Sequence, residues 1–216
     1  MKRIIAVCLL LVLLSCQKEE FREVEGQEET SFLADVELTR LINSVSSHDG
    51  RFDDIVDNSS CFSINFPYHI MLNGELHNVQ SINDLLTIDE QDVVEPVYPI
   101  RISTADYLEW DINNESQFED FVSQCENGQL YDERITCVDF EYPISVAVFN
   151  TATSSFETVL FEHDEDTFTG IADLDAEVLA TIGFPITLTF DNGSTLEVMS
   201  NDQLKNEILS VVPICN

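Results

Sequence analysis

Apolar and polar residues alternate along the chain after Cys61, and turn residues interrupt the alternation at regular places. Residues 186–190 and 195–199, for example, are alternating runs that flank Asp191-Asn192-Gly193. Alternation with a period of two indicates strands with one buried face, and a short glycine-containing turn between two such runs indicates a β-hairpin. The pattern predicts antiparallel hairpins whose outer faces carry Thr, Asn and Glu.

Four hairpins are predicted, because an aromatic-proline pair opens each of them. Proline cannot donate a hydrogen bond to a sheet, and the head of a strand is a position that tolerates it. The four pairs are Phe66-Pro67, Tyr98-Pro99, Tyr142-Pro143 and Phe184-Pro185.

A helix start follows each hairpin. Gln117 and Gln203 each stand three residues after a cap and can reach back to its backbone. The pattern predicts four units of strand, strand and helix (ββα); the third has a longer connection between its strands, and the first has a short helix. Each helix start has a capping residue that can accept hydrogen bonds from first-turn amides, with an apolar residue four positions later: Ser81 with Leu85, Asn114 with Phe118, Asp164 with Phe168, and Ser200 with Leu204.

The beginning of the chain has the layout of a secretory signal. Lys2 and Arg3 precede an apolar run from Ile4 to Leu14. A run of this length is too short to cross a bilayer core of roughly 30 Å, whereas it suits a signal peptide. We therefore expect residues 1–15 to be a targeting segment.

The residues Leu13-Leu14-Ser15-Cys16 resemble the lipobox of bacterial lipoproteins, in which the cysteine is lipidated and becomes the new amino terminus. The resemblance implies that Cys16 carries the lipid anchor, since the competing Cys8 follows the bulky Val7. A multiply acylated cysteine is a stable anchor without a transmembrane helix.

The residues after Cys16 suggest an address. Gln17, Lys18, Glu19 and Glu20 resemble the signal that sends lipoproteins of Bacteroidota to the outer face of the outer membrane. The resemblance implies an outer-membrane lipoprotein that faces the cell exterior.

Four further cysteines indicate a higher symmetry. Cys61 and Cys137 each lie five residues before the aromatic residue of a pair, and Cys125 and Cys215 each follow the helix of the next unit. In an exported protein with a lipidated Cys16, the four allow three disulfide pairings, and the symmetry selects Cys61 with Cys125 and Cys137 with Cys215. Free thiols or a zinc site are the alternatives, although the cysteines lack the close spacing of zinc ligands.

The predicted fold class is α+β, with four ββα repeats in two pseudo-symmetric halves and antiparallel strands in one or two sheets that have helices on one face. The segment 31–60 contains apolar residues at helical spacing (Leu33, Val36, Leu38, Leu41, Ile42 and Val45), and its partner surface must lie later in the chain. The predicted organisation is a signal peptide (1–15), a lipidated acidic tether (16–30), an amphipathic helix with an acidic loop (31–60), a first half (61–125) and a second half (137–215).

This arrangement resembles a group of flavobacterial-type surface lipoproteins of Bacteroidota that have acidic hairpin-helix repeats with Phe-Pro-Ile and Asp-Gly or Asn-Gly turns. The resemblance covers most of the mature chain, above all 61–81 and 137–215. Its motifs are structural, so it implies a fold and an address but no activity.

Composition limits the kind of partner. The chain has 41 acidic and 9 basic side chains and a net charge of −32, which excludes nucleic acid as a ligand. It is nevertheless 44% hydrophobic with 14 Phe, so it is a folded protein with an acidic surface rather than a disordered tail.

Acidic clusters are the first candidates for chemistry. Asp164, Glu165 and Asp166 could supply oxygen ligands to calcium, although acids in a first helical turn are also favoured by the helix dipole. A second patch, from Asp49 to Asp57, is interpreted as a turn on a solvated face.

Histidines and serines offer no catalytic arrangement. His69 and His77 should lie on opposite faces of their hairpin, because a two-residue turn places His77 opposite Ile70. Ser194 lacks the glycine setting of a nucleophilic serine. We therefore predict no catalytic residues and no cofactor, with calcium as the one ion considered.

Aromatic side chains could bind a glycan. Trp110 alternates in register with Leu108 and Ile112 and is interpreted as a core residue, whereas Tyr107 is expected to be more exposed, and Tyr131 is the third candidate.

The sequence thus favours a non-catalytic binding or structural module that meets an unknown protein or glycan through a polar sheet face or a rim between the halves. One alternative is an adhesion domain stabilised by calcium, and another is an enzyme that acts on a polysaccharide or peptide.

Overall fold

The structure is a computed structural model that describes residues 30–174 and 177–215. None of the helices in these residues is long and apolar enough to cross a membrane. The α-helices are α1 (Val36–Val45), α2 (Asp54–Asp57), α3 (Ile82–Leu85), α4 (Glu115–Glu126), α5 (Asp164–Ala172) and α6 (Asn201–Val211). The strands are β1 (Phe62–Ile64), β2 (Tyr68–Leu72), β3 (Glu75–Val79), β4 (Val94–Val97), β5 (Ile100–Thr104), β6 (Glu109–Ile112), β7 (Val138–Phe140), β8 (Ile144–Asn150), β9 (Ser155–Phe161), β10 (Val178–Ile182), β11 (Ile186–Phe190) and β12 (Thr195–Val198).

The described strands form four antiparallel sheets of three strands each, in the orders β1-β5-β6, β3-β2-β4, β12-β11-β7 and β10-β8-β9. The chain is therefore an α+β protein, as predicted, and the hairpins β2–β3, β5–β6, β8–β9 and β11–β12 occur at the predicted places. The expectation of one or two larger sheets is wrong. Among these strands no hairpin pairs with another hairpin, because each takes its third strand from elsewhere.

A single strand precedes each hairpin, and the alternation pattern does not predict it. β1 precedes the hairpin β2–β3 but pairs with β5, and β4 precedes β5–β6 but pairs with β2. β7 and β10 are exchanged in the same way between the last two hairpins. The four aromatic-proline pairs join the single strands to the hairpins, and all four have cis peptide bonds.

Helices α3 to α6 begin directly after the hairpins. Ser81, Asn114 and Ser200 are their N-caps as predicted. The third cap is His163 rather than Asp164, because the imidazole Nδ1 accepts the amide of Asp166 at 3.3 Å. Asp164 is therefore the first residue of its helix, and the third unit departs from the expected spacing.

One contact is common to these four helix starts. The third helical residue, a Gln or Asp, accepts the backbone N–H of the residue that precedes the cap, at 2.8 to 3.1 Å. The expectation that Gln117 and Gln203 reach the cap itself is thus wrong by one residue. The four acceptor and donor pairs are Asp84 with Gln80, Gln117 with Asn113, Asp166 with Glu162, and Gln203 with Met199.

Replacing Ser200 with alanine should lower the free energy of unfolding by about 1 kcal/mol, because its hydroxyl accepts the Gln203 amide at 3.2 Å. Urea unfolding monitored by circular dichroism measures the change. The matched control is Asn206→Ala, on the exposed side of the same helix, which should not lower the free energy of unfolding. Equal losses in the two variants would contradict this role of the cap.

The described residues form two hydrophobic cores. The first core contains residues of β1 to β6 and of α2 to α4, and the second core contains residues of β7 to β12, α5 and α6. Helix α1 packs in the second core through Leu38, Leu41, Ile42 and Val45, which confirms that its partner lies later in the chain. At the start of α1, Asp35 and Glu37 form ion pairs with Lys205 of α6. Because the side chains of both acids are exposed, these ion pairs add little stability.

The chain crosses from the second core to the first at Gly50. A Cβ atom there would lie 2.4 Å from the carbonyl oxygen of Phe62, so the close approach of two backbones requires glycine. After this crossing, Phe52 and Val56 join the first core.

Candidate functional site

The predicted lipidation site and export signal are at the beginning of the chain. Cys16 and Gln17, Lys18, Glu19 and Glu20 lie outside the described residues. The lipid anchor and the address therefore stay predictions.

The predicted disulfides are present in the structure. Cys61 is bonded to Cys125, and Cys137 is bonded to Cys215, with Cα atoms 5.8 and 5.2 Å apart. The first bond closes a chain segment around the first core and the second bond closes one around the second core. These cysteines are structural.

Two of the candidate calcium ligands, Asp164 and Asp166, accept hydrogen bonds at the start of helix α5. Asp164 accepts a hydrogen bond from the hydroxyl of Tyr142 at 2.7 Å, and Asp166 accepts the Glu162 amide at 3.1 Å. Burial raises the pKa of Asp164, although the bond from Tyr142 opposes the rise. Among the described residues, no group of three or more His, Cys, Asp or Glu side chains has an arrangement that could hold a metal ion.

The histidines of the first hairpin lie as predicted. His77 pairs with Ile70, and His69 pairs with Asn78. Neighbouring pairs point to opposite faces, so the two imidazoles do not share a ligand position.

The acidic patch from Asp49 to Asp57 is not a fully solvated turn. Asp53 and Asp57 are buried, with exposed fractions of 0% and 2%. One oxygen of each accepts a backbone amide, of Ile64 at 2.7 Å and of Ser59 at 3.0 Å. The other oxygen of each is buried without a hydrogen-bond partner in the structure, as is the hydroxyl of Tyr68.

Burial determines the charge of this pair. It raises the pKa of Asp53 to about 7 and the pKa of Asp57 to about 9, and the charge of Asp53 adds to the rise at Asp57. A carboxyl that keeps its proton can donate to a neighbouring carboxylate, which would satisfy an otherwise unpaired oxygen. The pair is therefore a proton-holding part of the first core.

The candidate sugar-binding aromatic residues occupy structural positions. Trp110 pairs with the buried Ile102 and contacts Phe121 of α4, with ring centroids 5.5 Å apart, yet it is 47% exposed because β6 is an edge strand. Tyr131 contacts Phe168, with ring centroids 5.7 Å apart. Neither residue forms an open platform with a second exposed ring in the described part of the chain.

Tyr107 is less exposed than predicted. Its hydroxyl donates to the carbonyl of Ser46 at 2.9 Å, and its ring lies between His48 and Phe168. It therefore joins segments that belong to the two cores. Burial raises its pKa, as does the nearby Asp164.

A cleft of about 170 Å³ lies beside Tyr107 at the junction of the two cores. Its polar residues include His48, whose Nε2 is 2.6 Å from the Ser63 hydroxyl, and Asp49, which is paired with Arg51 and Arg134. Burial lowers the pKa of His48. His48 and Asp49 thus each have partners within the protein, and the cleft is a polar junction between the cores.

The outer faces of the sheets are the remaining candidates for a binding surface. In β1-β5-β6 the outward Arg101 pairs with Asp111 and Glu109 across the hairpin, and in β12-β11-β7 the outward Thr187 is paired with Glu197. Both faces are polar, as predicted. The face of β3-β2-β4 is mixed, since His69 and Asn78 share it with exposed Leu76.

The outer face of β10-β8-β9 is partly apolar, whereas the alternation predicts a polar face. Leu179, Phe149 and Phe156 are neighbours across the three strands, and their exposed fractions are 51%, 37% and 68%. Leu160, which is 54% exposed, lies on the same face, and the row Thr181, Ala147 and Thr158 separates it from the other three. We call Leu179, Phe149, Phe156, Leu160 and Ala147 the apolar face.

Sequence reasoning missed the apolar face, although a signal was present. Residues 146–149 of β8 are continuously apolar, whereas β11 alternates strictly. A continuous apolar run indicates a strand with two apolar faces.

The stretch of sequence that contains the apolar face has acidic residues and no basic ones. Residues 135–204 contain 13 Asp or Glu and no Lys or Arg. Exposed apolar surface with a charged surround is typical of a site for another molecule.

Comparisons of the chain with protein-family models, curated proteins and solved structures give no match. The assignment of function therefore depends on the residues and the geometry described above.

Proposed function

We propose that the chain is a non-catalytic binding module that is held by a lipid on the outer face of the outer membrane. The secretory layout of residues 1–15, the lipobox-like Cys16 and the signal-like Gln17 to Glu20 support this location. The acidic segment 16–30 would then separate the fold from the membrane surface.

We also propose that the fold consists of four related hairpin-helix units in two pseudo-symmetric halves. The recurrence of hairpin followed by helix, the shared contact at the helix starts and the exchange of single strands within each half support this view. One disulfide per half agrees with it. The units would be a rigid support for one specialised surface.

The apolar face is the observation that carries the proposed function. It is formed by the hairpin with the longest strands and is more apolar than the outer faces of the other sheets. Its acidic surroundings favour a partner that combines apolar and basic groups, because opposite charges speed encounter and exclude acidic competitors. An apolar patch of this kind favours a protein partner over a glycan.

A double substitution tests this function. Phe149→Ser/Phe156→Ser should weaken binding of a cationic, apolar peptide by about tenfold or more, because two apolar contacts at the centre of the patch are lost. Fluorescence anisotropy with the full-length chain in detergent micelles measures the affinity. Phe149 is 37% exposed and Phe156 is 68% exposed, so we expect a moderate loss of stability with the fold retained, which circular dichroism checks.

The matched control is Leu76→Ser/Val93→Ser, which removes two exposed apolar side chains from the region of the first core. It should leave the affinity unchanged. A peptide of the same length in which Glu replaces every basic residue of the probe should not bind. Equal binding by both double variants, or equal binding of the anionic peptide, would overturn the assignment of this surface.

A further inference from the structure

The hairpin β8–β9 differs from the other three in length. Its strands pair over seven residues, whereas the other hairpins pair over five, four and four. The additional pairs add Val148 to the second core and place Phe149 and Phe156 on the outer face of the sheet. The extension thus enlarges the outer face as well as the core.

The two edge strands of this sheet, β10 and β9, have different neighbours. At the β10 edge, the amide of Ala180 donates to the hydroxyl of Ser31 at 3.0 Å, and the turn Phe32–Ala34 packs against the strand. β9 is the opposite edge, and within the described residues its only strand partner is β8. Its outer backbone groups are therefore available to another strand.

β9 also lacks the usual protection of an edge strand. Charged side chains on an edge discourage pairing with other chains. The equivalent strand β6 carries Glu109 and Asp111, both in contact with Arg101. β9 carries one charged residue, Glu157, and its first six residues are exposed or half-buried.

The side-chain pattern of β9 specifies what could pair with it. Phe156 and Leu160 lie on the apolar face, whereas Glu157 lies on the opposite side of the strand. A neighbouring strand with alternating residues would place one set of side chains beside Phe156, Thr158 and Leu160 and the other set beside Glu157 and Val159. Apolar residues suit the first set, and a basic residue suits the position beside Glu157.

Charge excludes two other occupants of this edge. A second copy of the chain carries a net charge of −32, and the chain's own segment 17–29 contains six Glu against two basic residues. Both have the same sign as the surroundings of the apolar face. Repulsion therefore disfavours pairing of β9 with either of them.

We propose that β9 receives an extended peptide of alternating basic and apolar residues as a fourth strand of the sheet β10-β8-β9. This inference rests on the proposed function, and it specifies how the partner is held. Main-chain hydrogen bonds to β9 would provide affinity, and the apolar face and Glu157 would select the side chains.

Backbone methylation of a probe peptide tests the mode of binding. The probe is a seven-residue peptide in which Lys alternates with Val, so that its length matches β9. Two derivatives carry N-methyl groups on odd or on even residues. Only alternate N–H groups of an added strand face its neighbour, so one derivative should lose at least tenfold in affinity for the full-length chain and the other should keep most of it.

The outcomes separate this inference from the proposed function. One strongly weakened derivative, together with sensitivity to Phe149→Ser/Phe156→Ser, supports strand addition. Equal affinities of the two derivatives overturn strand addition, while sensitivity to the double variant would still uphold the apolar face as the binding surface. Failure of the unmethylated peptide and of other cationic, apolar peptides to bind overturns both.

Discussion

Replacing Cys137 and Cys215 with serine should lower the free energy of unfolding by about 4 kcal/mol. The two cysteines are 78 residues apart in the chain, and their disulfide restricts the unfolded chain over that whole length. Closing a loop lowers the conformational entropy of the unfolded chain, and this loss increases, although slowly, with the length of the loop. A disulfide that closes a long loop therefore gives a large stabilisation. Urea unfolding of the oxidised protein and of the variant measures the difference.

The matched variant Cys61→Ser/Cys125→Ser opens a loop of similar length, since its cysteines are 64 residues apart in the chain, and it should lower the free energy of unfolding by about as much. The two variants should destabilise different parts of the fold. Hydrogen exchange should quicken in β8 and β11 for the first variant and in β2 and β5 for the second, because these strands belong to separate cores. Equal acceleration in both cores for either variant would contradict independent stabilisation.

The hairpins and the cysteine pairs could be predicted because their signals are local or repeated. Asn73-Gly74 is a two-residue turn in which both residues have positive φ, and this dipeptide favours such a turn. Symmetry of position was enough to pair the cysteines correctly. Helix α1 was also predictable, since its apolar residues have helical spacing and Asp35 caps it.

The single strands and the separate sheets could not be predicted from the pattern. β1 and β7 have three residues each, and β4 contains Pro96, so none of them has a recognisable alternation. Their partners are distant in sequence: β1 pairs with β5, and β7 pairs with β11. The exchange of strands depends on tertiary packing, which a local pattern does not contain.

The candidate site was missed for a related reason. A continuous apolar run in β8 is compatible with a strand that is covered on both faces, and only the structure places Phe149 and Phe156 on an open face. The burial of Asp53 and Asp57 was also not predicted: here the sequence indicates exposed side chains and the structure shows buried ones. Their segment is rich in acids and includes exposed Asp54, so composition favours a solvated turn.

The buried carboxyl groups should make the protein less stable as the pH rises from 6 to 9. In the unfolded chain both groups lose their protons near the ordinary pKa of about 4, whereas burial raises the pKa of Asp53 to about 7 and the pKa of Asp57 to about 9 in the folded protein. The folded state therefore holds more protons than the unfolded state between these limits, and the free energy of unfolding falls as the pH rises through them. Burial lowers the pKa of His48, which opposes the decline near the ordinary histidine pKa of about 6.5, so a variant of the buried pair is needed to isolate its contribution.

Asp57→Asn should flatten this decline and raise the free energy of unfolding at pH 9 by on the order of 2 kcal/mol, because an amide has no proton to lose in the core. Urea unfolding at pH 6, 7, 8 and 9 gives the profile. The matched control is Asp54→Asn, which removes a charge from the exposed side of the same helix and should leave most of the decline in place. If the wild type and Asp57→Asn lost stability equally over this interval, a proton-holding pair in the first core would be ruled out. A flat profile for the variant and a falling one for the wild type would mean that the first core, which is built on this segment and β1 to β6, depends on a retained proton.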